Sequence, residues 1–295
     1  MQNNQLISLE IIAPPRAWQI HDVQRWATTI AGMLGAHGIS CLNLPEVVKE
    51  TRPGKRALPF SPKMDHVQFG KLVREKRPDL TLIPHKRSVR LPKTQFAHWV
   101  QKAHDSRIRQ IVVVGGESHT INYPGLSVAE AAAFVKRSFP GMAVGGITIF
   151  DRKDEVDRII TKIKSGVTFF LSQIIFGVSP MKRVLSQVHR RCKEERLQFP
   201  DVAVSLAPAA RIRDLEFMQW LGVQLPPPLL SLLATKVETA VEAQTFEVLK
   251  PLIDDVIDFA ATISTEVGFN IGHVVYGNLG RSEKLVELVK QRISV

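Results

Sequence analysis

Short runs of consecutive apolar residues alternate along the chain with longer segments in which apolar residues recur every three or four positions. The first kind reads as strands buried on both faces, the second as amphipathic helices packed over them. Leu6 to Ile12 opens the series and is stopped by Ala13-Pro14-Pro15. A helix follows from His21 to His37, with Val23, Trp26, Ile30 and Leu34 at helical spacing and Gly38 closing it. Ile39 to Leu44 is the second strand. After it come a polar loop through Arg52, Pro53, Gly54 and Lys55 and a helix from about Met64 to Lys76. Leu80 to Ile83 is the third strand, followed by a basic loop, His85-Lys86-Arg87-Ser88-Val89-Arg90, and a helix with Phe96, Trp99, Val100 and Ala103 on one side.

The same alternation continues. Strands are predicted at Gln110 to Val114, Met142 to Ile149, Gly166 to Phe176, Val202 to Leu206 and Ile271 to Tyr276. Helices are predicted at Ser127 to Ser138, Glu155 to Lys164, Met181 to Arg196, Ile212 to Leu221 and Ser282 to Ile293, with two more between Leu229 and Gly268. Parallel strands need crossover helices, and eight such units suffice to close the sheet. The pattern therefore predicts one (β/α)8 barrel over residues 1–295. A doubly wound open sheet is the rival, weakened because no glycine-rich dinucleotide fingerprint follows the first strand. In such barrels the chemistry gathers at the C-terminal ends of the strands. Polar residues fall there: Glu10, Asn43, Glu117, Gln173, and His273 with Tyr276.

Charge changes the picture moderately. The net charge is +11 and the pI about 9.8, which invites a polyanion reading. The basic residues are spread over helix faces and loops with little aromatic interleaving, so small anionic ligands such as phosphates or polyglutamate tails fit as well, and nucleic acid is not favoured. Apolar runs such as Ile111 to Val114 and Leu229 to Leu233 are too short to span a bilayer, and no apolar signal segment opens the sequence. A cytoplasmic protein is expected, and a homo-oligomer is compatible with the sequence. Cys41 and Cys192 lie too far apart in sequence for a redox pair, and no His, Asp and Glu set has metal-ligand spacing.

Two residues break the apolar pattern with chemical consequences. Glu10 is a carboxylate inside Ser8-Leu9-Glu10-Ile11-Ile12, where desolvation would raise its pKa and make it a usable general acid; the alternative is a core ion pair. Gln173 sits in the apolar Gly166 to Phe176 strand, and an unpaired amide there would cost roughly 1–3 kcal/mol. Either the protein satisfies it or a ligand does. Glu117 follows a Gly-Gly pair that permits a sharp turn and close approach of backbone to ligand, although many surface turns look the same. His119 reads as a loop residue.

In order along the chain, several segments carry a resemblance. Ser8-Leu9-Glu10-Ile11-Ile12-Ala13-Pro14-Pro15 resembles the opening strand of the methylenetetrahydrofolate reductase family. Gly116-Glu117 with Asn122-Tyr123-Pro124 is similar to the family's Gly-Asp turn and Asp-Tyr-Pro segment. Lys162, Ser165-Gly166 and the run from Phe169 to Phe176 resemble its most recognisable helix end and strand. Leu215-Glu216-Phe217, Val223-Gln224-Leu225-Pro226 and Gly272-His273-Val274-Val275-Tyr276 also fit.

The resemblance implies a barrel that binds FAD, takes hydride from a nicotinamide cofactor, NAD(P)H, and reduces the methylene bridge of a folate to a methyl group. It implies Glu10 as the acid that protonates the folate nitrogen, and Glu117 and Gln173 on the substrate side, where Asn43 and Tyr276 are expected to join them from their positions near the strand ends. Lys162, Gly116 and Tyr123 fall on the cofactor side. There are departures. Gly115-Gly116-Glu117 replaces the family's Arg-Gly-Asp, removing an Arg that contacts flavin phosphates, and Glu for Asp moves the carboxylate by one bond. Pro45 replaces a Thr, and Ile149-Phe150-Asp151-Arg152-Lys153-Asp154 lacks the family's Tyr-Pro-Glu-x-His-Pro. Lys162, Arg87 and Arg90 are substitute phosphate contacts. The expected activity is a folate-dependent one-carbon oxidoreductase with a divergent flavin site. Two alternatives stand beside it: other methyl-tetrahydrofolate chemistry, by methyl transfer or demethylation, and a flavin-free paralogue serving as a regulatory or complex subunit.

Overall fold

The computed structural model describes residues 7–50, 52–116, 121–265 and 267–293. Its strands are β1 (Ile7–Ile11), β2 (Cys41–Leu44), β3 (Thr81–Arg87), β4 (Gln110–Val114), β5 (Ala143–Thr148), β6 (Val167–Ile174), β7 (Asp201–Leu206) and β8 (Val267–Val274). They pair in sequence order, all parallel, and β1 pairs with β8 to close a barrel. The crossovers are α1 (Ile20–Ala36), α2 (His66–Lys76), α3 (Lys93–Asp105), α4 (Val128–Ser138), α5 (Glu155–Lys164) and α6 (Ser179–Glu194). They continue as α7 (Ile212–Trp220), α8 (Pro227–Thr235), α9 (Val241–Thr262) and α10 (Leu279–Ile293). This is the (β/α)8 architecture that the alternating pattern predicted.

Helical spacing becomes packing directly: Val23, Trp26, Ala27, Ile30 and Leu34 form the buried face of α1. At α4 a capping box sets the start, with Ser127 Oγ accepting from the Glu130 amide at 3.2 Å and Glu130 Oε2 from the Ser127 amide at 2.9 Å. Outward strand residues such as Leu9, Ile11, Val204 and Ile271 join this main core between sheet and helices. A second core fills the barrel itself, with Ile83, Val112 and Leu171 buried and Phe169, Ala203 and Ile147 against them.

Toward the C-terminal end the barrel interior turns polar. Asn43, fully buried, donates from Nδ2 to Ser8 Oγ and to Asn270 Oδ1, both at 3.0 Å, and faces His85 Nε2 at 3.4 Å through Oδ1. Ser8 Oγ donates to Asn270 Oδ1 at 3.1 Å, and Asn270 Nδ2 to Ser205 Oγ at 3.0 Å. Burial drives the His85 pKa down to about 3, so the ring is neutral at pH 7, and the Asn43 contact assigns its proton to Nε2.

Three boundaries differ from the sequence expectation. His85 to Arg87 belong to β3 and not to a loop, because they pair with Val112 to Val114 of β4. The eighth strand runs Val267–Val274 and not Ile271 to Tyr276, and α9 ends at Thr262. Gly268 and Asn270 disguise that strand: Asn270 points into the polar interior network. Leu6 lies outside the described residues.

Replacing Asn43 by Leu keeps the volume and removes every amide bond. The orphaned polar groups then cost about 1–3 kcal/mol each, so urea denaturation of Asn43→Leu should show a loss of at least about 2 kcal/mol. A loss within about 0.5 kcal/mol, as for ordinary surface changes, would contradict the role given to this network.

Candidate active site

Two strand irregularities shape the mouth. Between Leu9 and Ile11 of β1 stands one residue, Glu10, while their partners on β8, Ile271 and Val274, enclose Gly272 and His273. Between Leu171 and Ile174 of β6 stand Ser172 and Gln173, opposite the single Val204 of β7. A bulge re-aims side chains and ends regular pairing. Here each bulge holds residues that face the cavity. The Ser172 hydroxyl bridges the second one, donating to Gln173 O at 2.7 Å and accepting from the Ser205 amide at 2.8 Å. At the first, His273 takes a left-handed backbone conformation, φ 57°, uncommon for a non-glycine residue and typical of strained positions at functional sites.

A cavity of about 860 Å3 opens over these bulges. Glu10 lies in its wall. Burial holds the Glu10 carboxyl above the usual carboxylate range, opposed by hydrogen bonds from the His273 amide, which donates to Oε1 at 3.1 Å, and from the Asn270 side chain. The balance is a carboxylic acid biased toward its protonated form, with no cationic partner in an ion pair among the described residues. The core ion pair that the sequence left open is not formed.

Gln173 also lines the cavity, and its Nε2 donates to Leu221 O, just after α7, at 2.8 Å. The protein therefore satisfies one donor of the amide. The neighbouring stretch of wall is basic. Lys162, on α5, donates to Ile147 O at 2.7 Å and lies 5.7 Å from the Phe170 ring. Burial lowers its pKa to about 8, with Glu155 opposing and Arg152 and Arg158 adding to the shift. Arg158, one turn ahead of Lys162 on α5, and Arg152, in the loop before that helix, also line the cavity. Their sequence signal was the Arg158/Lys162 spacing of four, which puts both on one helix face.

Gly116 and Tyr123 line the cavity as a unit: a Cβ on Gly116 would lie 2.2 Å from the Tyr123 ring. The glycine is needed for the close approach of that ring. Asn43 does not line the cavity; it lies beneath it in the interior network, level with Glu10 in the β1–β2 register. Tyr276 follows β8 in a 3-10 turn, is 70% exposed, and packs edge-on against Trp18 and Trp26 at 5.7 and 5.4 Å, away from the cavity. Glu117 and His119 lie outside the described residues. Among the described residues no cluster of His, Cys, Asp and Glu could hold a metal ion, and no helix is long and apolar enough to cross a membrane.

His273 is the residue that the sequence underweighted. Its ring packs 5.4 Å from Phe217, its carbonyl accepts from Asn278 Nδ2 at 3.1 Å, and burial lowers its pKa to about 4, so it is neutral above that pH. Nothing in Gly272-His273-Val274 announces a positive φ.

No protein-family model and no curated protein sequence matches the chain. Among solved structures, the chain is similar to an uncharacterized protein from Clostridium thermocellum described as binding two copies of 5-methyl-5,6,7,8-tetrahydrofolic acid. That likeness has a TM-score of 0.78 over 97% of this chain and 96% of the other, at 19% identity. A protein from Aquifex aeolicus VF5 is similar with a TM-score of 0.51 and 11% identity, covering 98% and 92% of the two chains. At these identities the likeness is one of fold.

The raised Glu10 pKa has a stability consequence of definite sign. A carboxyl that binds its proton more tightly in the folded state contributes stability that is complete below the unfolded pKa and lost as pH rises through the folded one. Glu10→Gln, a permanent stand-in for the neutral acid, should therefore gain in Tm relative to the native protein as pH is raised from 5 to 8. A Tm difference that stays constant over this range would contradict a raised pKa.

Proposed function

We propose that this barrel binds a reduced folate over Glu10 and acts on its one-carbon group, as a reductase that interconverts methylene- and methyl-tetrahydrofolate. The observation that carries the reading is the buried carboxyl of Glu10 in the cavity wall, its pKa raised by burial, set at a bulge with no ion-pair partner among the described residues. The folate-binding Clostridium barrel of the same fold supports the substrate class.

Opening the methylene bridge breaks a carbon–nitrogen bond, and the departing nitrogen needs a proton. A neutral carboxylic acid within hydrogen-bond reach supplies it, a contribution of about 10²–10⁴-fold for general acid catalysis. The carboxylate left behind is stabilised by the His273 amide and the Asn270 side chain. Hydride then adds to the iminium carbon and yields the methyl group. Gln173 has Nε2 held by Leu221 O, which fixes the amide and leaves its carbonyl oxygen to accept from a pterin N–H. NAD(P)H would supply the hydride, directly or by way of a bound flavin that it first reduces. Arg158 and Lys162 fit the phosphates of either cofactor, since they are adjacent cations on one wall of a cavity of about 860 Å3.

Titration with 5-methyltetrahydrofolate, followed by assay of its formation from methylene-tetrahydrofolate with NAD(P)H, or of its oxidation with NAD(P)+, each with added FAD, tests this. The native protein should bind and turn over. Glu10→Gln should bind within a few-fold and lose roughly 10²-fold or more in rate. Absence of folate binding, or a Glu10→Gln variant as fast as the native protein, would sink the proposal.

A further inference from the structure

Behind the wall that carries Glu10 lies a second, smaller chamber of about 320 Å3, sharing Glu10, Arg87, Leu221 and His273 with the main cavity. It is roofed by the long segment between β2 and α2. That segment is pinned at its far end, where Arg16 N donates to Pro62 O at 2.9 Å, Met64 N to Pro14 O at 3.0 Å, and Pro15 bridges Lys63. Its middle is pinned by Glu50, which pairs with Arg52 and Arg87.

The charges of this chamber do not balance. Glu46 is taken up by Lys86 and the Arg87 amide, Glu50 by its two arginines, and Glu10 is held toward its neutral form. Arg56 and Lys63 remain, with no carboxylate at ion-pair distance among the described residues; Glu50 acts on Arg56 only from beyond that distance. Each cation lies close enough to the other that Arg56 helps to lower the Lys63 pKa. Two like charges left together in a partly buried chamber favour an anion between them.

The polar atoms tell the same story. Arg56 is sandwiched among the rings of Phe60, Phe217 and Trp220, with its guanidinium 5.6, 5.1 and 5.2 Å from the three centroids. Its Nε and the Nε1 of Trp220 are buried without an acceptor among the described residues. A buried donor left unpaired costs about 1–3 kcal/mol, and both residues line this chamber. The volume is about twice that of a cavity that holds benzene, roughly 150 Å3. One substituted ring fits; a fused ring system with a long tail does not.

We infer that this chamber is a second binding site, for a single aromatic ring bearing a carboxylate, with Arg56, Lys63 and the Trp220 indole N–H taking the carboxylate and Phe60 and Phe217 the ring. The five residues assigned to the ligand do not line the main cavity, so the inference does not rest on what that cavity binds.

Calorimetric titration of the full chain with benzoate, and with the uncharged isostere benzamide, tests it. Benzoate should bind saturably and at least tenfold more tightly than benzamide. Arg56→Met and Lys63→Met should each weaken it tenfold or more, while Lys162→Met in the main cavity leaves it unchanged. Equal affinity for benzoate and benzamide overturns the inference without any variant. So does benzoate binding that survives both chamber variants or that is lost in Lys162→Met.

Discussion

The barrel mouth depends on one chain of hydrogen bonds through the barrel interior, from His85 to Asn43, on to Asn270, and from there to Glu10 and Ser205. Polar side chains inside a closed barrel are tolerable only when each finds its partners. Here Asn43 uses both amide protons and its carbonyl, and Asn270 does nearly the same, so neither side chain can rotate without orphaning a neighbour. That rigidity is inherited by Glu10, whose carboxyl sits at the end of the chain where the interior gives way to the cavity.

Two bulges convert this framework into a site. One extra residue on β8 lifts the His273 amide toward Glu10 Oε1, and one on β6 turns Gln173 toward the cavity while Ser172 closes the gap behind it. The result is a cavity of two characters. A buried acid with a raised pKa and a fixed amide line it, together with the cations Arg152, Arg158 and Lys162. A substrate with a polar ring and a cofactor with phosphates make complementary use of such walls, which is why the folate reading fits the cavity and not only the fold.

Much of this was legible in the sequence, and the exceptions have physical causes. Strands such as Gln110 to Val114 were readable because the side chains from Ile111 onward are all apolar and the middle of the strand is buried on both faces. The beginning of β8 was hidden because Gly268 and Asn270 serve the barrel interior, where the ordinary apolar signature fails. Glu10 stood out as a charge in an apolar run, and the structure keeps it in the cavity wall. Gln173 stood out equally, yet half of the explanation is Leu221 O, a contact made across 48 residues that no local pattern encodes. Tyr276 was drawn toward the site by extending β8 two residues too far; its ring belongs with Trp18 and Trp26. Arg56 and Trp220, distant in sequence, meet only because the β2–α2 segment folds across the mouth onto α7.

The claim on which the account turns is that Glu10 is a carboxylic acid, and not a carboxylate, in the folded protein at neutral pH. The difference infrared spectrum of native protein minus Glu10→Gln at pH 7 reads that state directly. A protonated carboxyl C=O stretch that shifts on exchange into deuterated water is the predicted result. A pair of carboxylate stretches with no protonated band would show that Glu10 is ionised and would contradict the account.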